Sequence, residues 1–282
     1  MLDGIRVKDN QRVVFKPVKT KSEEVPLATF LSSDSSRDDP RNCAVPILEV
    51  LPVPGDDDRA LLVMPHLLPY FELPFRFLGK FCEFALQILQ GLEYLHEQNI
   101  IHRDMCHGNI MVDSTKLVPK GHHFVRRDTH NGLDENFQWN TRWSVRPNQY
   151  YIIDFGISAR CKTKNVLALG IWGQDMSVPE LSREVPYDPF MVDVYQLGNV
   201  FMRCIKDYQG FDSFQELAES MTRKDPKERP TASEAVHLCK KIIAMVETSG
   251  KMKQRAWKLY KGKVWLSSIE RAAVVCGWNP LR

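Results

Sequence analysis

Two stretches of sequence decide the fold: Ile100-Ile101-His102-Arg103-Asp104-Met105-Cys106-His107-Gly108-Asn109-Ile110-Met111 and Tyr151-Ile152-Ile153-Asp154-Phe155-Gly156. The first places an Asn five residues after an Asp, and the second adds another Asp further along the chain. A single Asp or Asn in a loop usually caps a turn. Three such residues in this order and spacing indicate a chemical site instead.

The two stretches resemble the catalytic loop and the metal-binding motif of eukaryotic protein kinases. The resemblance continues with Val178-Pro179-Glu180, which is similar to the Ala-Pro-Glu that ends the activation segment in that family. The run Asp193-Val194-Tyr195-Gln196-Leu197-Gly198 resembles the helix that follows, and Arg229 resembles the arginine that pairs with the glutamate. The match covers about residues 12–247. In its general sequence character the chain resembles the divergent protein-kinase-like chains that are numerous in fungi.

The resemblance implies a phosphotransferase that uses ATP and Mg²⁺ and acts on a Ser/Thr or Tyr hydroxyl of a protein substrate. Such transfer needs neutralised phosphate charge and a positioned nucleophile. Asp104 is expected to be the catalytic base that orients the acceptor hydroxyl and takes its proton. Asn109 and Asp154 are expected to be catalytic through the hard oxygen ligands that they offer to Mg²⁺.

The hydrophobic patterning predicts a two-lobed α+β protein, and the resemblance implies that its fold is protein-kinase-like. Strand-like runs lie at residues 12–16, 45–51 and 60–64, with one helix after Ser22. Helical periods begin near residue 78 and recur at about 189–206, 213–222 and 231–247. We therefore expect a truncated, mainly β N-lobe over residues 1–67 that lacks the glycine-rich loop, and a larger, mainly α C-lobe over residues 68–282.

Several residues of the first lobe are predicted to bind the nucleotide. The run Val13-Val14-Phe15-Lys16 resembles the lysine-bearing strand of kinases, and the period of two puts Val14 and Lys16 on one face. By resemblance, Val14 covers the adenine and Lys16, a catalytic residue, reaches the phosphates. Glu24 is the expected ion-pair partner of Lys16, with Glu23 as its competitor.

The run Met64-Pro65-His66-Leu67 resembles the kinase hinge, which binds adenine through backbone groups. Pro65 falls where only a C=O is needed, so its missing N–H costs nothing, and Leu67 is expected to supply the N–H. Met64 is expected at the back of the pocket. Met111 completes the expected nucleotide-binding set.

The chain also departs from the family. No Gly-x-Gly-x-x-Gly precedes Lys16, and Glu24 follows Lys16 by only eight positions. Cys106 stands where Ser/Thr kinases have a lysine, Gly173 where its threonine partner is expected, and Gly108 where tyrosine kinases have an arginine. The acceptor class therefore stays open.

These departures favour a second hypothesis, a pseudokinase that acts as a nucleotide-binding or scaffold module. A third hypothesis is a small-molecule kinase of the aminoglycoside or choline type. Glu180 and Arg229 argue against it, because these residues build the protein-substrate platform in protein kinases.

Two segments fall outside the kinase pattern. Residues 113–150 are rich in Arg, His and Asn without a sustained period, which predicts a solvated, partly ordered insertion; the alternative is a partner-docking loop. The tail, residues 248–282, is basic and interleaved with Trp257 and Tyr260. A solvated helix that packs these aromatic residues on the large lobe is expected, with a nucleic-acid or membrane-surface patch as the alternative.

Composition bounds the partners and the compartment. The 282 residues are 43% hydrophobic and 26% charged, as in a globular protein, and the net charge of +3 gives no reason to expect nucleic acid as a partner. The seven cysteines form no Cys-x-x-Cys pair and no apolar run is long enough to span a membrane. We expect an intracellular protein, cytoplasmic or nuclear; no oligomeric state is indicated.

Overall fold

The computed structural model describes residues 1–133, 136–260 and 263–264. Its first part is a four-stranded antiparallel sheet with two helices, in the chain order β1 (Leu2–Arg6), β2 (Gln11–Lys19), α1 (Glu24–Ser32), α2 (Asp34–Arg37), β3 (Glu49–Val53) and β4 (Asp56–Pro65). The strand order across the sheet is β1-β2-β4-β3, so β2 and β4 are inner strands. Val13, Val14 and Val18 of β2 are buried, because branched side chains pack well on a pleated surface.

The second part is mainly helical. Its elements follow in the order β5 (Leu68–Pro69), α3 (Leu78–Glu97), β6 (Ile100–Ile101), β7 (Ile110–Val112), β8 (Tyr150–Ile152), β9 (Ala159–Arg160), β10 (Ala168–Gly170), β11 (Ser182–Tyr187), α4 (Pro189–Asp207), β12 (Tyr208–Gln209), α5 (Gln215–Met221), α6 (Ala232–Thr248), β13 (Trp257–Tyr260) and β14 (Lys263–Val264). The short strands form small sheets, β5-β7-β8, β6-β9, β10-β11 and β12-β13-β14.

Helix α3 is the centre of the main hydrophobic core. Its residues Phe81, Ile88, Leu92 and Leu95 recur at helical spacing and are essentially inaccessible to solvent. The Phe81 ring stacks on Phe211 with 4.1 Å between ring centroids. Burial of each such side chain stabilises the fold by about 1.5–3 kcal/mol. This helix therefore forms a rigid base behind the loops that follow it.

The predicted α+β architecture is confirmed, because a small sheet is followed by a helical part and the four helices of the second part lie where the periodicity placed them. Strand β1 escapes the sequence pattern, since Leu2 and Ile5 are exposed on it. The strand predicted from residue 45 begins only at Glu49, because the Val45 N–H instead bonds the Ile152 carbonyl of β8.

The predicted C-terminal helix is wrong. Helix α6 ends near Gly250, whose φ of +70° is a left-handed conformation that glycine adopts without strain. A single 3₁₀ turn at Lys251–Lys253 follows, and β13 then pairs with β12. Lys258 on β13 donates to the Phe71 carbonyl at 3.1 Å. The remainder of the basic tail, residues 265–282, lies outside the described residues.

The insertion between β7 and β8 has no helix or strand among its described residues, but the expectation of a solvated loop is wrong for part of it. Arg142 is only 1% exposed. Its guanidinium donates to the Tyr150 hydroxyl at 2.8 Å, to the Leu73 carbonyl at 3.0 Å and to the Tyr70 carbonyl. It also lies over the Phe75 ring, 4.6 Å from the centroid. The insertion is therefore anchored in the core.

Across the part of the chain that the structure describes, none of the helices is both long enough and apolar enough to cross a membrane.

Candidate active site

The loop between β6 and β7 is held from behind by helix α4. Asp193 is fully buried and accepts the backbone N–H groups of His102 at 2.8 Å and Arg103 at 2.7 Å. Gln196 accepts the Met105 N–H at 3.0 Å and donates to the Arg103 carbonyl at 3.1 Å. These bonds hold Arg103 at a φ of +66°, a left-handed conformation that costs roughly 1–2 kcal/mol for a residue with a Cβ.

This loop brings Asp104 and Asn109 together, and both side chains are buried. The Asn109 Nδ2 donates to Asp104 Oδ2 at 2.8 Å and to the Asp104 carbonyl at 3.0 Å. The amide nitrogen of Asn109 is thereby used. The oxygen of the same amide is the atom that Asn109 offers to a cation.

Gln174 is a site residue that the sequence analysis did not find. Its backbone N–H donates to Asp104 Oδ1 at 2.7 Å, and its side-chain Nε2 donates to Asp104 Oδ2 at 3.1 Å. A carboxylate has about four acceptor positions. Asn109 and Gln174 fill three of those on Asp104.

The sequence feature that could have revealed the position of Gln174 is the glycine before it, Gly173. Gly173 has a φ of +87°, and a Cβ at this position would lie 2.5 Å from the Arg103 carbonyl oxygen and 3.0 Å from Asp104 Oδ1. Only glycine fits both this backbone conformation and this close approach. A glycine is therefore needed here for the next N–H to reach Asp104.

Lys16, Glu24 and Asp154 meet at one end of the cleft. The Lys16 ammonium forms an ion pair with Glu24, and its Nζ lies 2.7 Å from Asp154 Oδ1. The spacing of eight residues suffices because β2 ends at Lys19 and α1 begins at Glu24. The competitor Glu23 is exposed and stands at the N-cap position of α1, where its side chain makes no capping hydrogen bond.

The contact between Lys16 and Asp154 shifts the pKa values of both groups. Burial opposes the protonated form of Lys16, but the hydrogen bonds to Asp154 and Glu24 outweigh it and raise the pKa of the lysine. Burial likewise opposes ionisation of Asp154, but the hydrogen bond from Lys16 outweighs it and lowers the pKa of the carboxyl. Both groups are therefore charged at neutral pH.

A cavity of about 230 Å³ opens beside these ions. Its walls include every residue predicted to bind the nucleotide except Glu24, namely Val14, Lys16, Met64, Pro65, Leu67, Met111 and Asp154. Asn109 lines it too. Met64 and Pro65 end strand β4, with Met64 paired to Val14 of β2, and Leu67 lies between β4 and β5. An apolar slot thus ends in a pair of opposite charges.

The oxygens around this end of the cavity suit a hard cation. Among the described residues no group of three or more His, Cys, Asp or Glu side chains is placed to hold a metal. Mg²⁺ does not need one, since it commonly takes one or two protein oxygens and completes its shell with phosphate and water. Asp154 and Asn109 provide a carboxylate and an amide oxygen on the same cavity.

Comparisons with known proteins agree with this geometry. A family model described as the protein kinase domain matches residues 79–213. This match supports a place for the chain in the protein kinase superfamily.

Individual kinases are only distantly similar. Over 157 residues, 55% of the chain, it is 25% identical to mitogen-activated protein kinase kinase kinase 3 of Arabidopsis thaliana. Over 174 residues, 53% of the chain, it is 25% identical to sperm motility kinase 3A of Mus musculus. The chain spans 26% and 28% of the length of these two relatives. A probable serine/threonine-protein kinase, the MRK1 homolog of Encephalitozoon cuniculi, is 62% identical over 32 residues, which are 11% of this chain and 10% of that protein.

The chain forms the Glu180–Arg229 ion pair that the resemblance to kinases implied. Arg229 is 5% exposed and its Nη2 lies 2.8 Å from Glu180 Oε2. The same guanidinium donates to the Met191 carbonyl at 3.0 Å and lies over the Tyr195 ring at 4.6 Å. This fixes the C-terminal end of the segment to the helical core.

Two departures from the kinase pattern have structural counterparts. Burial raises the pKa of the Cys106 thiol to about 11, so a neutral group stands where the family has a lysine. On the sheet side, Met1 and Val14 line the cavity, and the turn between β1 and β2 at residues 7–10 contains no glycine. Among the residues that the structure describes, none belongs to a glycine-rich loop on this wall.

Proposed function

We propose that this chain is a protein kinase that transfers the γ-phosphate of ATP to a hydroxyl of a protein substrate. The observation that carries the proposal is the shared cavity wall of Lys16, Asn109 and Asp154, with Asp104 hydrogen-bonded to Asn109. The cavity wall therefore joins a cation and two oxygen ligands, and the Asp104 carboxylate adjoins this wall through its hydrogen bond with Asn109. Phosphoryl transfer needs these parts and little covalent help from the protein.

Each residue has a defined part in this proposal. The Lys16 ammonium, held by Glu24, binds phosphate oxygens, and the slot from Val14 to Leu67 takes the adenine. Asp104 accepts the hydrogen bond of the substrate hydroxyl and takes its proton. Asn109 and Asp154 would hold Mg²⁺, which supplies neutralisation of phosphate charge when bound.

Gln174 supports this assignment of Asp104. In the family, a lysine two residues after the catalytic Asp contacts the transferring phosphate, and a threonine partners it. Here Cys106 and Gly173 occupy those positions, and the two amides of Gln174 orient the Asp104 carboxylate. Asp104 is thus positioned, but the cation that would contact the transferring phosphate is absent at Cys106. We therefore expect slow transfer.

A second candidate function is a pseudokinase that binds nucleotide or acts as a scaffold. The observation that favours it is the same neutral, buried Cys106. The Glu180–Arg229 pair, which belongs to the protein-substrate platform, disfavours a small-molecule kinase.

The test is transfer of labelled γ-phosphate from Mg-ATP to the protein itself and to a mixed protein substrate. Wild type is compared with Asp104→Asn, Asp154→Asn and, as a matched control, Asp57→Asn, which changes an exposed carboxylate at the start of β4. We expect transfer to fall at least about a hundredfold in the first two variants and to stay unchanged in the control. Wild-type transfer no higher than that of Asp104→Asn, with intact ATP binding, would select the pseudokinase.

A further inference from the structure

The insertion contributes two residues to the wall of the nucleotide cavity. Phe124 and Arg127 line the same cavity as Lys16, Leu67 and Asp154. They lie more than 50 positions from the hinge residue Leu67 in sequence. Phe124 is half-buried and Arg127 is exposed, so an aromatic face and a cation border the mouth of the cavity.

The segment that carries these residues is fixed to the hinge. The ring of His122, which is 2% exposed, lies 4.3 Å from that of His66 between centroids. The Arg12 Nη1 on strand β2 donates to the His122 carbonyl at 3.0 Å. The Phe124 ring lies 5.7 Å from His66. Phe124 is therefore placed at the hinge end of the cavity by packing, and the small sheet and the insertion touch there.

Arg127 is held from the opposite side. Its Nη1 lies 3.3 Å from Glu72 Oε1, in a pair that is partly open to solvent. A guanidinium has five N–H donors, and Glu72 takes one of them. The remaining donors border a cavity whose other end holds Lys16 and Asp154.

We propose that the insertion supplies the outer wall of the ATP site, with Phe124 covering the base and Arg127 donating to the ribose hydroxyls. This inference rests on the proposed function, since it takes ATP as the ligand. With the base at Pro65 and Leu67 and the phosphates at Lys16, the sugar faces the wall formed by Phe124 and Arg127.

The inference is tested by measuring the Kd of Mg-ATP and of Mg-2′,3′-dideoxy-ATP by calorimetry. The variants are Phe124→Ala, Arg127→Ala and the matched control Val125→Ala, whose side chain lies between them in sequence, is 76% exposed and does not line the cavity. Lys16→Met reports the proposed site itself. All four changes leave the main core untouched, and circular dichroism with thermal unfolding checks that each variant is folded.

We expect Phe124→Ala to weaken the binding of both nucleotides about tenfold, as for loss of an aromatic contact with a base. Arg127→Ala should weaken ATP about fivefold and leave dideoxy-ATP within twofold, so that the preference for ATP disappears. Val125→Ala should change neither nucleotide by more than about twofold.

The outcomes separate the two proposals. Wild type that binds no ATP, or binds it equally well with Lys16→Met, refutes the proposed function. ATP binding that depends on Lys16 but is the same in Phe124→Ala, Arg127→Ala and Val125→Ala overturns the inference about the insertion alone. Tighter binding in Phe124→Ala also overturns it, because the ring would then be a plug in the cavity and not a wall.

Discussion

Replacing Arg142 by alanine tests whether the insertion is part of the folded core. The guanidinium is always protonated, it is 1% exposed, and the acceptors it bonds are neutral: the carbonyls of Tyr70 and Leu73 and the hydroxyl of Tyr150. The residue therefore joins the insertion to the segment after β5 and to the start of β8.

The magnitude follows from what alanine leaves behind. The two carbonyls lose a buried donor, at about 1–3 kcal/mol each, which gives about 2–6 kcal/mol. The contact with Phe75 is lost as well. The variant also no longer has to bury a cation, and this offsets part of the lost free energy of unfolding. We expect the free energy of unfolding of Arg142→Ala to fall by about 3 kcal/mol.

Urea denaturation measures this free energy, and thermal unfolding should show a fall in Tm of roughly 6–12 °C at about 2–4 °C per kcal/mol. Arg142→Lys keeps the charge, but one ammonium cannot reproduce the planar fork of donors, so it should recover only part of the loss. Arg146→Ala is the matched control, because Arg146 is exposed, donates to the carbonyl of its near neighbour Trp143 and lies over the ring of that same residue. Equal losses in Arg142→Ala and Arg146→Ala would refute the reasoning.

Three further predictions concern other parts of the molecule. Burial lowers the pKa of His122 to about 4, whereas a histidine in an unfolded chain has a pKa of about 6.5. The free energy of unfolding should therefore fall by up to about 3 kcal/mol as the pH falls from 6.5 toward 4. In urea denaturation at a series of pH values, His122→Gln should reduce this dependence on pH. Gly173→Ala should slow phosphate transfer at least about tenfold, because the new Cβ would lie 2.5 Å from the Arg103 carbonyl oxygen. Glu180→Gln should destabilise the fold by about 3 kcal/mol in thermal unfolding, since it leaves the buried Arg229 without its carboxylate.

Each of these three predictions has an outcome that would contradict it, and two have a matched control variant. An unchanged slope between pH 6.5 and 4 in His122→Gln would show that other groups take up the protons. Gly55→Ala has a similar φ of +76° with nothing within 4 Å of the added Cβ, so it separates backbone strain from the contact at Gly173; wild-type transfer rates in Gly173→Ala would contradict the prediction. Glu184→Gln changes an exposed carboxylate. An equal fall in stability in this variant would show that the Glu180–Arg229 pair does not stabilise the fold.

The elements predicted correctly are those whose signal is local. Helix α3 shows its buried face every three or four residues. The expected contact of Lys16 with Glu24 is present although only eight positions separate the two residues, because α1 begins at Glu24.

The features that escaped depend on contacts between distant segments. Gln174 reaches Asp104 across 70 positions, and Phe124 reaches the cavity from an insertion without periodicity. The tail has the charge pattern of a solvated helix, yet β12 offers a free strand edge, and pairing with it decides the conformation of Trp257–Tyr260. Propensity is a weak guide where tertiary pairing is available.

Asp193 bonds the backbone of the loop between β6 and β7 to the helical core. The amides of His102 and Arg103 end on a carboxylate with no solvent exposure, and such amides exchange their protons for deuterium only when the core itself opens. Helix α4 would have to leave its place before these two hydrogens are lost. Opening of the loop between β6 and β7 is therefore the same event as opening of the helical core, and deuterium exchange at these two amides reports that event.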